Sequence, residues 1–222
     1  MSYFPTYHTL NFFEDPNKIL SIANKCEFIK SEDGRWPGKR TPNLGDIHTD
    51  FFNHLNAKIL RLIFNRHTVY DILYNASVRF QKISYDDVQE INQKGWSHTD
   101  TRDMLTYIIY LSPDINDSGT SIQISKNFNE PIYTDVKKEF YKNTNSVNFD
   151  TYKNSRDKNN SQYETVAEFK SYFNSMLAFD STNYHCADLN LKPGQERLTL
   201  IGFFHSIKSP YFPIPDMNRN YE

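Results

Sequence analysis

A short polar motif in front of a strand constrains this chain more than any other stretch. The triplet His98-Thr99-Asp100 precedes residues 104–111, a run of β-branched and aromatic side chains that predicts a strand. Side chains alternate faces along an extended chain, so residues i and i+2 point the same way. We therefore expect the imidazole of His98 and the carboxylate of Asp100 to project toward one point, as a pair of metal ligands would.

A second triplet of the same form, His48-Thr49-Asp50, is followed by a different pattern. Apolar residues recur at helical spacing after it, which predicts an amphipathic helix over about residues 50–65. Thr49 or Asp50 is then expected to cap the first turn of that helix. We therefore interpret His48 as part of a helix start and not as a metal ligand.

Length and composition limit the class of protein. A chain of 222 residues is long enough for one domain with its own core, so we expect a single domain over residues 1–222. The net charge of −2 gives no electrostatic reason to expect nucleic acid or a membrane surface as the partner. The sequence shows neither a signal-peptide pattern nor an apolar run of the ~20 residues that a membrane span needs. We expect a soluble, cytoplasmic protein.

The two cysteines, Cys26 and Cys186, lie far apart and fit no zinc-binding spacing. Two unpaired thiols in a reducing compartment are the favoured interpretation. A single disulfide between them remains an alternative.

The predicted elements are mostly short strands separated by turns, with one or two helices before them. Residues 104–111 and 121–124 predict an antiparallel hairpin, and residues 176–180 and 197–204 predict two further strands. This pattern is typical of a mainly β fold with flanking helices, a double-stranded β-helix or jelly roll of the cupin type. We expect the N-terminal helices to pack on one sheet and the inner face to hold the metal.

Residues 126–175 differ in composition from the rest of the chain. They are polar, rich in Asn, Lys and Tyr, and contain too few apolar residues for a separate core. We interpret them as an insertion into the domain, within which residues 165–173 are expected to be helical. Whether this insertion covers the site as a lid is left open.

Two residues of the C-terminal part complete the candidate site. His185 follows the strand predicted at residues 176–180, and two histidines with one carboxylate are the ligand set of non-haem iron oxygenases. Arg197 begins the last strand and shares a face with Thr199. A buried arginine needs an anion, and no carboxylate on these strands is an evident match. A bound dicarboxylate such as 2-oxoglutarate would meet that need.

In order and spacing, five residues resemble those of the Fe(II)/2-oxoglutarate-dependent dioxygenases, namely His98, Asp100, Gly119, His185 and Arg197. The sequence pattern is most similar to that of the prolyl-4-hydroxylase-like branch and its small bacterial and phage members. The resemblance extends over most of residues 12–206, except for the insertion. One departure is Ser118 before Gly119, where many relatives have two glycines, and this concerns the turn and not the metal site.

The resemblance implies a role for each site residue. The iron ligands would be His98, Asp100 and His185. Arg197 would bind the distal carboxylate of 2-oxoglutarate, Tyr110 would donate a hydrogen bond to the same carboxylate, and Thr199 lies where other branches place a serine.

The resemblance also implies the activity. With O2, 2-oxoglutarate would be converted to succinate and CO2 while a substrate is hydroxylated, and ascorbate is an optional reductant. A prolyl or other peptidyl side chain is the first substrate expectation, with small molecules open and nucleic acid not favoured. The loop that contains Trp36, Lys39 and Arg40 is interpreted as a surface loop with one aromatic packed on the core, and substrate contact is the alternative.

Two other functions stay open. A metal-dependent cupin-like enzyme that does not use 2-oxoglutarate would not need Arg197. A non-catalytic jelly-roll binding module would have no affinity for a metal ion.

Overall fold

The computed structural model describes residues 4–90, 93–115, 117–127, 131 and 135–213. Its helices are α1 (Pro16–Ala23), α2 (Leu44–Ile47), α3 (Thr49–Phe64), α4 (Tyr85–Val88), α5 (Asp135–Lys142) and α6 (Phe149–Asn160). Its strands are β1 (Tyr7–Thr9), β2 (Ile29–Lys30), β3 (Lys39–Arg40), β4 (Leu73–Ser84), β5 (Gln93–Lys94), β6 (Leu105–Tyr110), β7 (Gly119–Ser125), β8 (Tyr163–Lys170), β9 (Met176–Asp180), β10 (Tyr184–Leu189) and β11 (Glu196–Lys208).

The strands form two antiparallel sheets. The major sheet has seven strands in the order β1-β9-β6-β11-β4-β3-β2, and the minor sheet has four in the order β5-β10-β7-β8. Ile108 on β6 and Ile122 on β7 belong to one buried apolar cluster, so the two sheets pack through their inner faces. This architecture confirms the predicted mainly β jelly roll.

The predicted hairpin between β6 and β7 was wrong. β6 pairs with β9 and β11 in the major sheet, whereas β7 pairs with β8 and β10 in the minor sheet. In a jelly roll a strand and its successor often lie in opposite sheets.

The outer face of the major sheet carries the main hydrophobic core. On β6, Leu105, Tyr107 and Ile109 alternate with the inward residues and belong to the same buried cluster as Ile19 of α1 and Ile59 of α3. Burying each such side chain contributes about 1.5–3 kcal/mol. The N-terminal helices therefore cover one sheet, as predicted.

The start of α3 differs slightly from the prediction. His48 occupies the cap position without a side-chain capping hydrogen bond, so the expectation that Thr49 or Asp50 caps the helix was wrong. Because α2 ends at Ile47, directly before α3, the Thr49 hydroxyl donates instead to the carbonyl of Gly45 at 2.9 Å. His48 directly precedes α3, in agreement with its interpretation as part of a helix start.

Residues 126–175 contain α5, α6 and β8. The helix expected at residues 165–173 was wrong, because β8 pairs with β7 and contributes the edge of the minor sheet. Its side chains alternate between exposed and more buried positions, which is the period of a strand.

The thiols of Cys26 and Cys186 are free, as favoured from the sequence, with Cys26 half-buried and Cys186 buried. Within the described ranges, none of the helices has the length and apolar content required to cross a membrane.

Candidate metal centre

The two candidate histidines are joined through their backbones. The N–H of His98 donates to the carbonyl of His185 at 3.0 Å, and the N–H of His185 donates back at 2.9 Å. The N–H of Asp100 donates to the carbonyl of Ser181 at 2.9 Å. The segment that carries the triplet thus runs beside β10, and this pairing brings together residues that lie almost ninety positions apart in the sequence.

The side chains of the triad converge on one point. His98 Nε2 lies 3.6 Å from Asp100 Oδ1, and His185 Nε2 lies 3.4 Å from Asp100 Oδ2. These three residues form the one group of possible metal-ligand atoms found among the described residues, with all three atoms within 4.8 Å of one another. The structure therefore brings together the three residues that the sequence selected.

Each imidazole is oriented by the backbone carbonyl two residues before it. The Nδ1 of His98 lies 2.8 Å from the Trp96 oxygen, and the Nδ1 of His185 lies 2.9 Å from the Asn183 oxygen. A carbonyl only accepts hydrogen bonds, so each Nδ1 carries the proton and each Nε2 is left to bind a metal. This arrangement is typical of histidine ligands.

The charges of the triad are coupled. Burial and the neighbouring His185 lower the pKa of His98 to about 3. Burial alone would raise the pKa of the Asp100 carboxyl, but His185 and His98 hold it below its ordinary value, whereas Asp100 raises the pKa of His185 against the effect of burial. At neutral pH, Asp100 is therefore anionic and His98 neutral, the forms in which both bind a metal.

The sequence did not single out the hydroxyl groups that hold Asp100. Thr106 on β6 donates to Asp100 Oδ2 at 2.9 Å and lies 2.9 Å from the Ser181 hydroxyl. Thr106 lies an even number of residues after Asp100, and this shared strand phase is the signal from which its role could have been predicted. It fixes the rotation of the carboxylate.

The insertion holds the backbone in front of His98. The Asn160 side chain accepts from the N–H of Ser97 at 2.9 Å and donates to the carbonyl of Gly95 at 2.7 Å. Asn159 donates to the carbonyl of Ser97 at 3.0 Å. Trp96 packs in a buried cluster with aromatic residues of α5 and α6. No sequence pattern indicated these contacts.

Arg197 lies in the same cavity as the triad. Its guanidinium donates to the carbonyl of Gly119 at 3.2 Å and lies 5.3 Å from the centre of the Tyr110 ring. The Tyr110 hydroxyl donates to Thr120 Oγ1 at 2.8 Å, and Thr199 is buried beside Arg197 on β11, opposite Tyr110. Arg197, Thr199 and Thr120 line the cavity, and Tyr110 contacts two of them, Arg197 and Thr120.

Position 119 requires a glycine. A Cβ atom on this residue would lie 2.1 Å from the carbonyl oxygen of Phe169 on β8. The close approach of β7 and β8 therefore excludes any side chain at the position whose carbonyl accepts from Arg197. The departure at Ser118 leaves this arrangement intact, since the Ser118 hydroxyl accepts from the N–H of Asn190 at 3.1 Å.

The cavity has a volume of about 750 Å³ and is lined by residues of both sheets and of α5. Trp36 and Arg40 line it, whereas Lys39 is exposed and does not. The interpretation of this loop as plain surface was therefore incomplete. Lys137 of α5 also lines the cavity, and no signal in the sequence marked it.

The donor set fits a single transition-metal ion. Metal–ligand distances of about 2.0–2.2 Å place two ligand atoms up to about 4 Å apart, a range that includes both imidazole–carboxylate distances. Two imidazoles and one carboxylate grouped on one side leave the remaining positions to the cavity, the arrangement of non-haem Fe(II) oxygenases.

Solved structures that are similar to this fold include a protein with 2-oxoglutarate bound, a prolyl hydroxylase and a member of the 2OG-Fe(II) oxygenase family. HygX from Streptomyces hygroscopicus, with nickel, 2-oxoglutarate and hygromycin B bound, is 13% identical, with 91% of this chain and 83% of that chain covered and a TM-score of 0.55. A prolyl hydroxylase from Trichoplax adhaerens, in complex with a peptide fragment of hypoxia-inducible factor, is 13% identical over 90% and 82% of the chains, with a TM-score of 0.51. A 2OG-Fe(II) oxygenase family oxidoreductase from Burkholderia pseudomallei is 9% identical over 92% and 86%, with a TM-score of 0.51.

The fold is therefore the jelly roll of the Fe(II)/2-oxoglutarate oxygenases, and it carries a His-Asp-His triad on its inner face. No curated protein matches the sequence. The chain belongs to a family of unknown function, DUF6445, whose model matches residues 6–204.

Proposed function

We propose that this protein is an Fe(II)- and 2-oxoglutarate-dependent dioxygenase that hydroxylates its substrate. In this proposal His98, Asp100 and His185 bind the iron. The buried Arg197, which faces the same cavity as the triad, binds the distal carboxylate of 2-oxoglutarate. The position and burial of Arg197 are the observation that carries the proposal.

Arg197 has the surroundings of a residue that binds an anionic ligand. It is 4% exposed, and its Nε has no hydrogen-bond partner within the described part of the chain. Burial lowers its pKa, while Tyr110 and Asp188 act in the opposite direction. Asp188 forms no ion pair with it among the described residues and instead accepts from the Ser121 hydroxyl at 2.6 Å. A bound carboxylate would compensate the buried charge.

The neighbouring polar groups fit the same ligand. The hydroxyls of Tyr110 and Thr120 are hydrogen-bonded to each other, the Tyr110 ring lies beside the guanidinium, and Thr199 lines the same cavity. We assign to Tyr110 and Thr199 a hydrogen bond to the distal carboxylate. When bound, Fe(II) with 2-oxoglutarate and O2 supplies an oxidative decarboxylation that releases succinate and CO2 and leaves a hydroxyl on the substrate.

The rival functions make different use of these residues. A cupin-like enzyme without 2-oxoglutarate would account for the triad but would not explain the buried charge of Arg197. A binding module without a metal would account for neither the triad nor the buried arginine. Both are less consistent with a triad and an arginine that share one cavity.

The substrate class does not follow from the fold. The similar structures hold a peptide fragment in one case and hygromycin B in another. A prolyl or other peptidyl side chain is the first class to assay, with amino acids and other small molecules next.

Succinate formation from 2-oxoglutarate, in the presence of Fe(II), O2 and ascorbate and without added substrate, tests the proposal. We expect slow succinate release by the wild type. Arg197→Gln should raise the KM for 2-oxoglutarate about 100-fold, since a charge-assisted pair of hydrogen bonds is lost.

Arg66→Gln is the matched control, because Arg66 stacks on Tyr211 outside the cavity, with its Cζ 3.7 Å from the ring centre. It should leave the KM unchanged. An Arg197→Gln variant with a wild-type KM would refute the assignment and favour the cupin-like alternative.

A further inference from the structure

The charge of the cavity lining differs from the charge of the chain. The chain carries a net charge of −2. The cavity is lined by two carboxylates, Asp100 and Asp103, and by six cationic side chains, namely Arg35, Arg40, Arg102, Lys137, Lys138 and Arg197. Asp100 belongs to the triad, and Asp103 lies 2.5 Å from the ring of His205. The cavity is therefore locally cationic.

Some of these cations are accounted for. Arg35 pairs with Asp33 at 2.5 Å, and Lys138 lies 3.7 Å from Asp135. Arg197 belongs to the proposed cosubstrate site, and Arg102 is exposed on a turn. The other two cations that line the cavity are Arg40 on β3 and Lys137 on α5.

Arg40 is held in place without a carboxylate. Its guanidinium donates to the Gln81 amide oxygen at 3.2 Å and stacks on Trp36, with its Cζ 4.6 Å from the ring centre. Its Nε is buried without a hydrogen-bond partner among the residues described. Burial lowers the pKa of Arg40 to about 10, against which Asp100 acts in the opposite direction. Arg40 is thus positively charged, fixed in orientation and directed at the cavity.

Lys137 brings a second cation from the insertion. Its ammonium group lies 5.6 Å from the ring centre of Trp96 and 5.9 Å from that of Tyr141. Burial lowers the pKa of Lys137 to about 8, and Asp100 opposes this shift. Arg40 on β3 and Lys137 on α5 therefore both line the cavity that holds the triad.

Arg40 is separate from the cosubstrate site. It lies opposite Gln81 on β4, and Gln81 lies opposite Thr199 on β11, so β4 stands between the two arginine-bearing strands. Two strand spacings amount to about 10 Å, and Arg197 lies two residues farther along β11. The two guanidinium groups are held by different parts of the chain, Arg197 by the carbonyl of Gly119 and Arg40 by Gln81 and Trp36.

We propose that the substrate carries a carboxylate or phosphate group and that Arg40 and Lys137 bind this anionic group beside the metal. This inference rests on the proposed function, since it names a substrate class for the same cavity. A guanidinium that is fixed by stacking and by an amide is suited to a planar or tetrahedral oxyanion.

Isothermal titration calorimetry with the full chain, loaded with Ni(II) and 2-oxoglutarate to prevent turnover, tests the proposal. The probes are N-acetyl-L-glutamate, phenyl phosphate and the neutral N-acetyl-L-glutamine. We expect saturable binding of one or both anionic probes and none of the neutral one. The tighter of the two anions identifies carboxylate or phosphate as the group bound.

Arg40→Gln and Lys137→Gln should each weaken binding of the anionic probe about 10-fold or more. Arg35→Gln is the matched control, because this cation lines the cavity but pairs with Asp33, and it should bind the probes as the wild type does. Circular dichroism confirms that each variant is folded.

The inference is overturned if the wild type binds neither anion, if it binds N-acetyl-L-glutamine equally well, or if both variants bind like the wild type. An anaerobic Fe(II) titration with 2-oxoglutarate separates this result from a failure of the proposed function. If 2-oxoglutarate binds normally but neither anionic probe binds, the proposed substrate class is refuted and the proposed dioxygenase function is not. If the protein does not bind 2-oxoglutarate but binds an anionic probe through Arg40, only the proposed dioxygenase function is refuted.

Discussion

The two histidines of the triad owe their orientation to backbone carbonyls, and the carboxylate owes its orientation to a hydroxyl. His98 and Asp100 could be predicted to converge because an extended chain places residues i and i+2 on one side. His185 and Arg197 could be selected only in combination with that pair, from the ligand set of a metal site and from the need of a buried arginine for an anion, since nothing local marks them. The contact of Thr106 with Asp100 depends on the position of β6 relative to the triplet, which is a feature of the tertiary structure.

Thr106→Val tests the support of the carboxylate. The change keeps the shape of the side chain but removes the hydrogen bond to Asp100 Oδ2. Loss of such a supporting contact typically weakens metal binding about 10- to 100-fold. We expect an increase in the dissociation constant for Ni(II), measured by calorimetry, within that range.

Thr165→Val makes the same change on β8, outside the cavity lining, and should bind Ni(II) as the wild type does. Equal affinities of the two variants would show that Thr106 does not orient Asp100.

At the scale of elements, the sequence predicted α3, β9 and β11 close to where the structure has them. It failed for β8, because the apolar spacing of Val166, Phe169 and Phe173 resembled a helix. The alternation of Glu164, Glu168 and Lys170 with less polar residues was the better signal, and it has the period of a strand. The pairing of β6 and β7 was also missed, since strand order across two sheets is decided by packing between them.

Asn160→Ala tests whether α6 holds the ligand segment. The variant loses both hydrogen bonds to the backbone at Gly95 and Ser97, so we expect faster amide hydrogen exchange at Ser97 and His98. We also expect weaker binding of Ni(II), because His98 loses its fixed position.

Asn154→Ala lies on the exposed side of the same helix and serves as the control, with unchanged exchange and affinity. Protection at Ser97 that survives in Asn160→Ala would contradict this role of the insertion.

At the scale of the whole molecule, a jelly roll with helices on one sheet followed from the strand and turn pattern and from the resemblance. The single-domain organisation over residues 1–222 stays a prediction. The cationic character of the cavity could not be predicted, because the net charge of the chain does not show which charged residues line a cavity. Arg40 and Lys137 lie almost a hundred residues apart, and only the folded chain brings both to the cavity wall.

Metal binding should stabilise the folded chain as a whole. A ligand at 100 times its dissociation constant adds about 2.7 kcal/mol to the free energy of unfolding, which corresponds to a rise in Tm of about 5–10 °C for a chain of this size. We expect Ni(II) to produce this rise in the wild type, measured by calorimetry, and not in His98→Ala.

His48→Ala is the matched control, because His48 belongs to the other triplet of the same form and lies at the start of α3. It should keep the full rise in Tm. A rise that is lost in His48→Ala and kept in His98→Ala would reverse the assignment of the two triplets.

The central claim is that three side chains bind one ferrous ion while Arg197 binds an organic acid beside it. An anaerobic titration of the wild type with Fe(II) and 2-oxoglutarate, followed by visible absorption, tests this claim most directly. We predict a weak charge-transfer band that is absent in His98→Ala and Asp100→Ala and that requires about 100-fold more 2-oxoglutarate in Arg197→Gln. A wild type without the band, or a band that persists without His98 and Asp100, would contradict the account.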